Sequence, residues 1–401
     1  MSNKFSIKLS AMGALKFSLN GRLDSNTAQD FLNAVISNIG DKQNVSIILD
    51  CKGLVYVSSA GLRSMLNIKK KTGSPVILIN VLPEVYNILE VTGFTEILDV
   101  AQIREDSISS EIKELDKIDG QLIGENGGVS IYKTNSDELL KLYPESVNLN
   151  DIENELNYTK IAFLSGVPTL ISCYVVKFNN RYGLVYEMPN AKTAASMINF
   201  QPMNLNTYAK NMGFTLKQIH SCDIQEGILP KTSDLYLDYL KRVSAYYKPD
   251  EISKLAEIIR AIPEKKSFIY GNYHAGNVFI QNDEIILLNM SGVSVGNPLY
   301  DLAKSYMINV LESEIFAKTL MGFDVNRASI FSHVMLCAYF GSVNITEQER
   351  VIKMGASLCS ALLPGMGKFS PEQTANFTAK ARANIFTNFD EYIKILSSIN
   401  F

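Results

Sequence analysis

Apolar positions change their period along the chain, and the changes mark the elements. Residues 14–24, "ALKFSLNGRLD", alternate apolar and polar as a strand does and end in a Gly/Asp turn. In residues 26–40 the apolar Phe31, Leu32, Val35 and Ile36 fall at helical spacing, between a Thr/Asn start and a Gly stop. Residues 45–50, "VSIILD", are a short β-branched run, which predicts a strand covered on both faces. Leu62, Met65 and Leu66 then stripe a helix over 59–73, closed by Gly73. A second buried strand is expected at 74–81, and a helix at 82–94 with Pro83 near its start and Gly93 at its stop. Alternating strands and helices over the first 110 or so residues predict a small, mainly parallel sheet with helices packed on it.

The pattern then breaks. Residues 101–120, "AQIREDSISSEIKELDKIDG", are polar and charged and read as a connector. Beyond them the chain is strand-rich to about 188 and helix-rich afterwards. The expected division is a first domain at 1–108, a linker at 109–120, a strand-rich lobe at 121–188 and a helical lobe at 189–401. No internal repeat interrupts this order.

Composition narrows the class. The 401 residues are 46 % hydrophobic and 20 % charged, enough for a large buried core. Lys and Arg number 38 against 41 Asp and Glu, a net charge of −3, which gives no electrostatic reason to expect nucleic acid or an anionic membrane as partner. The five cysteines are scattered, odd in number and free of CxxC pairs, so reduced thiols in a cytoplasmic protein are expected. The start lacks the apolar core of a signal peptide. The longest apolar run, residues 161–176, is broken by Gly166 and Pro168, so no membrane span is expected.

Three stretches carry candidate chemistry. The first is "LDCKGLVYVSSAGLRSML" (49–66), where Ser58 and Ser59 open a helix. Small polar residues there cap free amides, and this alone explains them. The same amides and the helix dipole would also stabilise a phosphate, and phosphorylation of Ser59 would add roughly −1.5 to −2 charge.

With the order of elements around it, "GRLDSNTA" and "VSSAGLR" resemble the STAS domain of anti-sigma factor antagonists, over roughly residues 5–105. The resemblance implies an α/β fold, a phosphoacceptor at Ser59 and an acidic neighbour at Asp24. It also implies an anti-sigma factor or other signalling kinase as partner, repelled by the phosphate. Many members carry Asp directly before the switch serine, where this chain has Ser58.

The second stretch runs from 118 to 193. Gly120, Gly124, Gly127 and Gly128 lie in a hairpin between apolar strand residues. Such a hairpin either lays amides over phosphates or is simply flexible. Lys141 sits inside an apolar strand, "DELLKLYP", and the following helix offers Glu153 and Glu155, of which Glu155 is the favoured partner. A strand Lys followed by a helix Glu is the arrangement that aims a kinase Lys at phosphates. A surface Lys and a solvated helix face are the bland alternative. Glu187 and Met188 end the last strand of this lobe, where a nucleotide's edge would lie.

The third is "FIYGNYHAGNVFIQNDEIILLNMSGVSVGNPLYDLA" (268–303), read as strand, loop, hairpin, Gly/Pro turn and helix. Over 118–305 this order resembles the aminoglycoside phosphotransferases and choline kinases, with their "HGDxHxxN" and "IDF/IDxD" motifs. The resemblance implies an α+β protein-kinase-like, two-lobed domain following the α/β domain. His274, Asn277 and Asp301 match its pattern. Tyr270 stands for the first His, Asn272 for the catalytic Asp, Asn289 for the metal-binding Asp and Ser291 for a second acid. An amide cannot take a proton and binds a hard dication poorly. The expectation is therefore a degenerate catalytic set of Asn272, Asn277 and Asn289, with His274 and Asp301 structural and no metal site; His220 and His333 also lack partner spacing. ATP, or a small molecule, is the expected ligand, with no strong need for Mg²⁺, through Gly124, Gly127, Gly128, Lys141, Glu155, Glu187 and Met188. The leading expectation is a regulatory protein whose phospho-switch is fused to an inactive phosphotransferase-like domain. The alternative is an active small-molecule kinase tuned by the first domain.

Overall fold

A computed structural model of the chain describes residues 6–11, 15–40, 46–73, 75–102, 112–126, 128–135, 138–170, 172–188, 191–281 and 283–401. It forms two compact units, Met1–Leu164 with Thr169–Pro189, and Ser165–Pro168 with Asn190–Phe401.

The first unit opens with β1 (Ser6–Ala11), β2 (Leu15–Leu23), α1 (Ala28–Ile39), β3 (Ile47–Val57), α2 (Ser59–Thr72), β4 (Val76–Val81), α3 (Pro83–Val91) and β5 (Asp99–Gln102). The strands lie in sequence order, with β1 antiparallel to β2 and every later pair parallel. Two expectations for β3 are corrected. It runs on to Val57, and it is not sealed on both faces. Ile47, Leu49 and Cys51 are fully buried while Ile48 and Asp50 are only half-buried. Only one face therefore needed apolar side chains.

A second sheet follows: β6 (Lys113–Leu115), β7 (Gly120–Asn126), β8 (Val129–Thr134), β9 (Glu138–Leu142), β10 (Ser172–Phe178) and β11 (Arg181–Glu187), with α4 (Leu149–Ser165) between β9 and β10. The order is β6-β10-β11-β9-β8-β7, and only the β6–β10 pair is parallel. β6 lies inside the stretch expected to be a linker; residues 103–111 of that stretch fall outside the described ones. Phe163 of α4 is buried in the core of the first sheet, its ring centroid 5.8 Å from that of Phe94. The first hundred residues and the second sheet thus share apolar packing, which is why both belong to one unit.

The second unit contains β12 (Lys192–Thr193), α5 (Ala194–Phe200), α6 (Leu205–His220), α7 (Thr232–Arg242), α8 (Pro249–Ala261), β13 (Ser267–Ile269), β14 (Val278–Gln281), β15 (Glu284–Leu287), β16 (Ser294–Gly296) and α9 (Leu299–Tyr306). Helices Val325–Phe340, Thr346–Met366, Pro371–Ala381 and Phe389–Leu396 complete it. β14 and β15 form the expected hairpin, and β13 pairs with β16 on either side of it in sequence. No described helix is long and apolar enough to cross a membrane.

Candidate functional site

The α2 start is built by two serines with different tasks. Ser58 is the N-cap: its Oγ accepts from the Gly61 amide at 3.2 Å, and its own amide donates to Leu23 O at 2.9 Å. That bond sets the α2 start beside the turn holding Asp24. The Asp24 carboxylate serves this turn, accepting from the Asn26 amide at 3.0 Å with Arg22 Nε 4.0 Å away. Ser59 is the first helical residue and is buried. Its amide points at the Glu187 carboxylate, donating to the two oxygens at 3.3 and 3.1 Å. The Ser59 hydroxyl bonds the same carboxylate, and Tyr56 OH donates to it at 3.1 Å. Burial holds the Glu187 carboxyl above its ordinary range, opposed by these bonds and by the Arg63 charge. Glu187, expected at a nucleotide's edge, therefore gives its carboxylate to α2, while Met188 follows half-buried at the strand end.

The Lys141 cluster lies on the second sheet. Lys141 Nζ is 2.7 Å from Glu155 Oε1, and the two side chains are only 12 % and 3 % exposed. The other carboxylate oxygen accepts from Tyr143 OH at 2.6 Å. Glu153, the second acid on α4, is exposed. Burial pulls the Lys141 pKa below its ordinary value, and Glu155 works against that pull. Burial also pushes the Tyr143 phenol up, so it remains a donor. α4 is positioned for this by a reciprocal cap: the Asp151 amide donates to Asn148 Oδ1 at 3.0 Å, and the Asn148 amide donates back at 3.4 Å.

The Gly-rich hairpin is tied to the same lobe by Arg181, which donates to Gly128 O at 3.0 Å and to Tyr143 O at 2.7 Å. Gly128 takes φ +83°, a left-handed conformation that favours glycine. Gly124 lies in β7 with room for a side chain, and Gly127 lies outside the described residues. Tyr143 and Arg181 were not anticipated. Tyr143 follows Lys141 by two residues, the spacing that puts extended side chains on one side, so alternation could have flagged it.

The loop of the second unit is organised by one acid. Asp301, fully buried at the start of α9, accepts from the Tyr270 amide at 2.7 Å and the Gly271 amide at 2.6 Å. Gly271 has φ +78°, and a Cβ there would meet Gly292 O at 2.4 Å, so the loop turns where only glycine fits. His220 is the missed partner: its Nε2 lies 3.2 Å from Asp301 Oδ2 and its Nδ1 2.8 Å from Tyr339 OH. Sequence spacing gave it none, because the contact spans 81 residues. Lys304, one turn along α9, donates to Gly271 O at 2.6 Å.

Tyr270, standing where a His was expected, is a strut. Its hydroxyl donates to Leu288 O and accepts from Asn277 Nδ2 at 3.0 Å. The same Asn277 amide group donates to Asn272 O at 3.1 Å. Asn289 Oδ1 accepts from Ser291 Oγ at 2.8 Å. His274 is buried, with no hydrogen-bond partner at Nδ1 among the described residues, and burial lowers its pKa to about 4, helped by the Lys304 charge. It stays neutral. Among the described residues no group of three or more His, Cys, Asp or Glu is placed to hold a metal. Asn277 engages its neighbours through Nδ2 and Asn289 through Oδ1, and neutral amide oxygens are weaker partners for Mg²⁺ than carboxylates.

Comparison with known proteins finds two families along the chain. The STAS domain family matches residues 10–109, and the phosphotransferase enzyme family matches residues 127–323. The putative anti-sigma factor antagonist BtrV of Bordetella bronchiseptica is 34 % identical over 96 residues, covering 23 % of this chain and 82 % of that protein. Among solved structures, a choline/ethanolamine kinase family protein from Mesorhizobium loti is 16 % identical with a TM-score of 0.46, over 69 % of this chain and 92 % of its own. Amicoumacin kinase hAmiN, solved with AMP-PNP, Ca²⁺ and Ami, is 11 % identical with a TM-score of 0.48, over 72 % of this chain and 92 % of its own. The chain belongs to the STAS family through its N-terminal region and continues into a kinase-like domain of the phosphotransferase enzyme family.

Proposed function

We propose that this chain is a regulatory protein in which a STAS phospho-switch at Ser59 is coupled to a phosphotransferase-like domain that no longer transfers phosphate. One observation carries the reading. The loop that would hold the catalytic and metal-binding acids holds asparagines at 272, 277 and 289. Asn277 Nδ2 donates to Tyr270 OH and Asn272 O, and Asn289 Oδ1 accepts from Ser291. An amide at 272 cannot accept the proton of an attacking hydroxyl. An amide at 289 is a weak ligand for the dication that neutralises phosphates in active enzymes.

The Lys141–Glu155 pair supports a retained nucleotide role. A lysine that costs desolvation and is held by a buried carboxylate can still meet a phosphate. ATP, or another phosphorylated small molecule, is then a ligand and not a substrate, bound without a strong need for Mg²⁺. The likeness to an anti-sigma factor antagonist supports an anti-sigma factor or related signalling kinase as partner of the Ser59 surface. The intact Lys–Glu pair also favours a second reading, an active small-molecule kinase regulated by its STAS domain.

A calorimetric titration with ATP, with and without Mg²⁺, and an ATP-turnover assay separate the two readings. The regulatory reading expects binding that Mg²⁺ leaves unchanged, no turnover above background, and gain of Mg²⁺-dependent turnover in Asn272→Asp with Asn289→Asp. Turnover in the wild type that collapses in Lys141→Ala would overturn it.

A further inference from the structure

The phosphate-ready end of α2 already has an occupant, and it comes from 128 residues away in the same chain. The Glu187 carboxylate takes the Ser59 amide through both oxygens, with Tyr56 OH and the Ser59 hydroxyl completing its shell. Arg63, one turn further along the helix, adds a favourable charge. A phosphate on Ser59 consumes the hydroxyl and would claim the Ser59 amide, Tyr56 OH and the Arg63 charge, because the helix amides and dipole favour whichever anion sits there. Two anions cannot share them. A carboxylate and a phosphate dianion at hydrogen-bonding distance repel strongly at a part-buried site.

We propose that Glu187 is an acidic latch: the end of β11 is the internal partner of the Ser59 surface, and phosphate on Ser59 expels it. The proposal rests on the reading of Ser59 as phosphoacceptor. The phosphoryl group comes from ATP through a separate protein kinase. The Ser59 Oγ–P bond forms, the bond to ADP breaks, and the hydroxyl proton goes to that kinase's base. Ser59 is 3 % exposed while latched, so the kinase meets it only after Glu187 lifts off.

The Lys141 cluster is tied to the STAS core by a separate route. α4 carries Glu155 on one turn and Phe163 two turns later, and Phe163 is buried in the STAS core. The Arg63 guanidinium of α2 lies 5.8 Å from the Phe163 ring centroid, and Lys160 of α4 lies 3.4 Å from Glu96. The Phe163 contact is made in an apolar core, and the Glu96 carboxylate faces Lys160 and not the α2 start. Release at Glu187 therefore frees the end of β11 while α4 stays attached. The latch is local, and its effect falls on the strand end carrying Glu187 and Met188.

Hydrogen exchange by mass spectrometry on the full chain tests it, read over residues 54–66 and 181–188. Glu187→Gln, which keeps the shape, and Glu187→Ala should each speed exchange at the α2 start by at least tenfold. Ser59→Asp should speed exchange over 186–188 by a similar factor. Ser59→Asp combined with Glu187→Lys reverses the charge and should bring protection back to within threefold of wild type. Ser59→Asp exchange within twofold of wild type, or a charge swap as open as Ser59→Asp alone, overturns the latch. Phosphopeptide mapping reads the underlying phospho-switch separately. Ser59 found phosphorylated beside unchanged Ser59→Asp exchange overturns the latch and leaves the switch standing. A protective charge swap with Ser59 never modified supports the latch and removes the switch.

Discussion

Replacing Glu155 by Leu removes the partner of a lysine that has nowhere else to go. Lys141 is 12 % exposed and Glu155 3 %, with 2.7 Å between Nζ and Oε1. Breaking one side of a buried pair leaves an uncompensated charge and costs about 3–5 kcal/mol. Tyr143 OH loses its acceptor in the same step. In Glu155→Leu, amides of β9 and α4 should therefore exchange about a hundred to a few thousand times faster. Exchange is the suitable local probe, since a chain of two units need not unfold in one step.

The loss also has a pH signature. Burial already depresses the Lys141 pKa, and Glu155 is what opposes it. Without Glu155 the folded-state pKa falls further below the unfolded one, so the unfolded chain binds more protons than the folded chain between the two values. Stability of the variant must then rise as pH climbs toward the unfolded lysine value of about 10.4, over a wider pH range than in wild type. Urea unfolding followed by tyrosine fluorescence reads this in a chain with 19 Tyr and no Trp. Lys141→Met combined with Glu155→Leu should recover most of the loss, because two apolar side chains need no partner. That double variant should fold and yet show no thermal shift with ATP. A loss below about 1 kcal/mol in Glu155→Leu, or a double variant no more stable than the single, would refute the reasoning.

Two further outcomes follow from the loop of the second unit. His274 is neutral in the fold, with a pKa near 4 against 6.5, a gap worth about 3 kcal/mol. That stability is present above pH 6.5 and is lost as pH falls toward 4, where the unfolded chain takes up the proton first; His274→Gln should flatten acid destabilisation by about this amount in urea titrations at pH 7 and 4, and parallel curves would contradict it. Asp301→Asn keeps the shape but offers one acceptor oxygen to the Tyr270 and Gly271 amides, at about 1–3 kcal/mol for a donor left unpaired; exchange at these two amides should accelerate at least tenfold, and unchanged protection would show that Asp301 does not hold the loop.

The period of apolar residues was enough to place α1, α2, α3 and the strands between them, because one buried face per element is a local property of the sequence. Ser58 and Ser59 were legible as a helix start for the same reason, and Lys141 with Glu155 because charged residues among apolar ones demand partners. The asparagines at 272 and 289 stood out through the resemblance of their stretch to a phosphotransferase motif that carries acids there. What spacing could not give were contacts between distant segments. β6 pairs with β10 some 60 residues away, a backbone interaction with no local pattern. His220 meets Asp301 across 81 residues, and Tyr270 changes from a lost histidine into a strut only when Leu288 and Asn277 are brought to its hydroxyl.

The sequence by itself determined the two kinds of domain, the serine at the head of α2 and the asparagines at 272 and 289. Each follows from residue type at a fixed spacing. Tertiary structure alone decided that Glu187 closes on Ser59 and that α4 is anchored in the STAS core through Phe163. A carboxylate looks the same in sequence whether it faces a ligand, solvent or a helix end. Only packing says which free amide it meets.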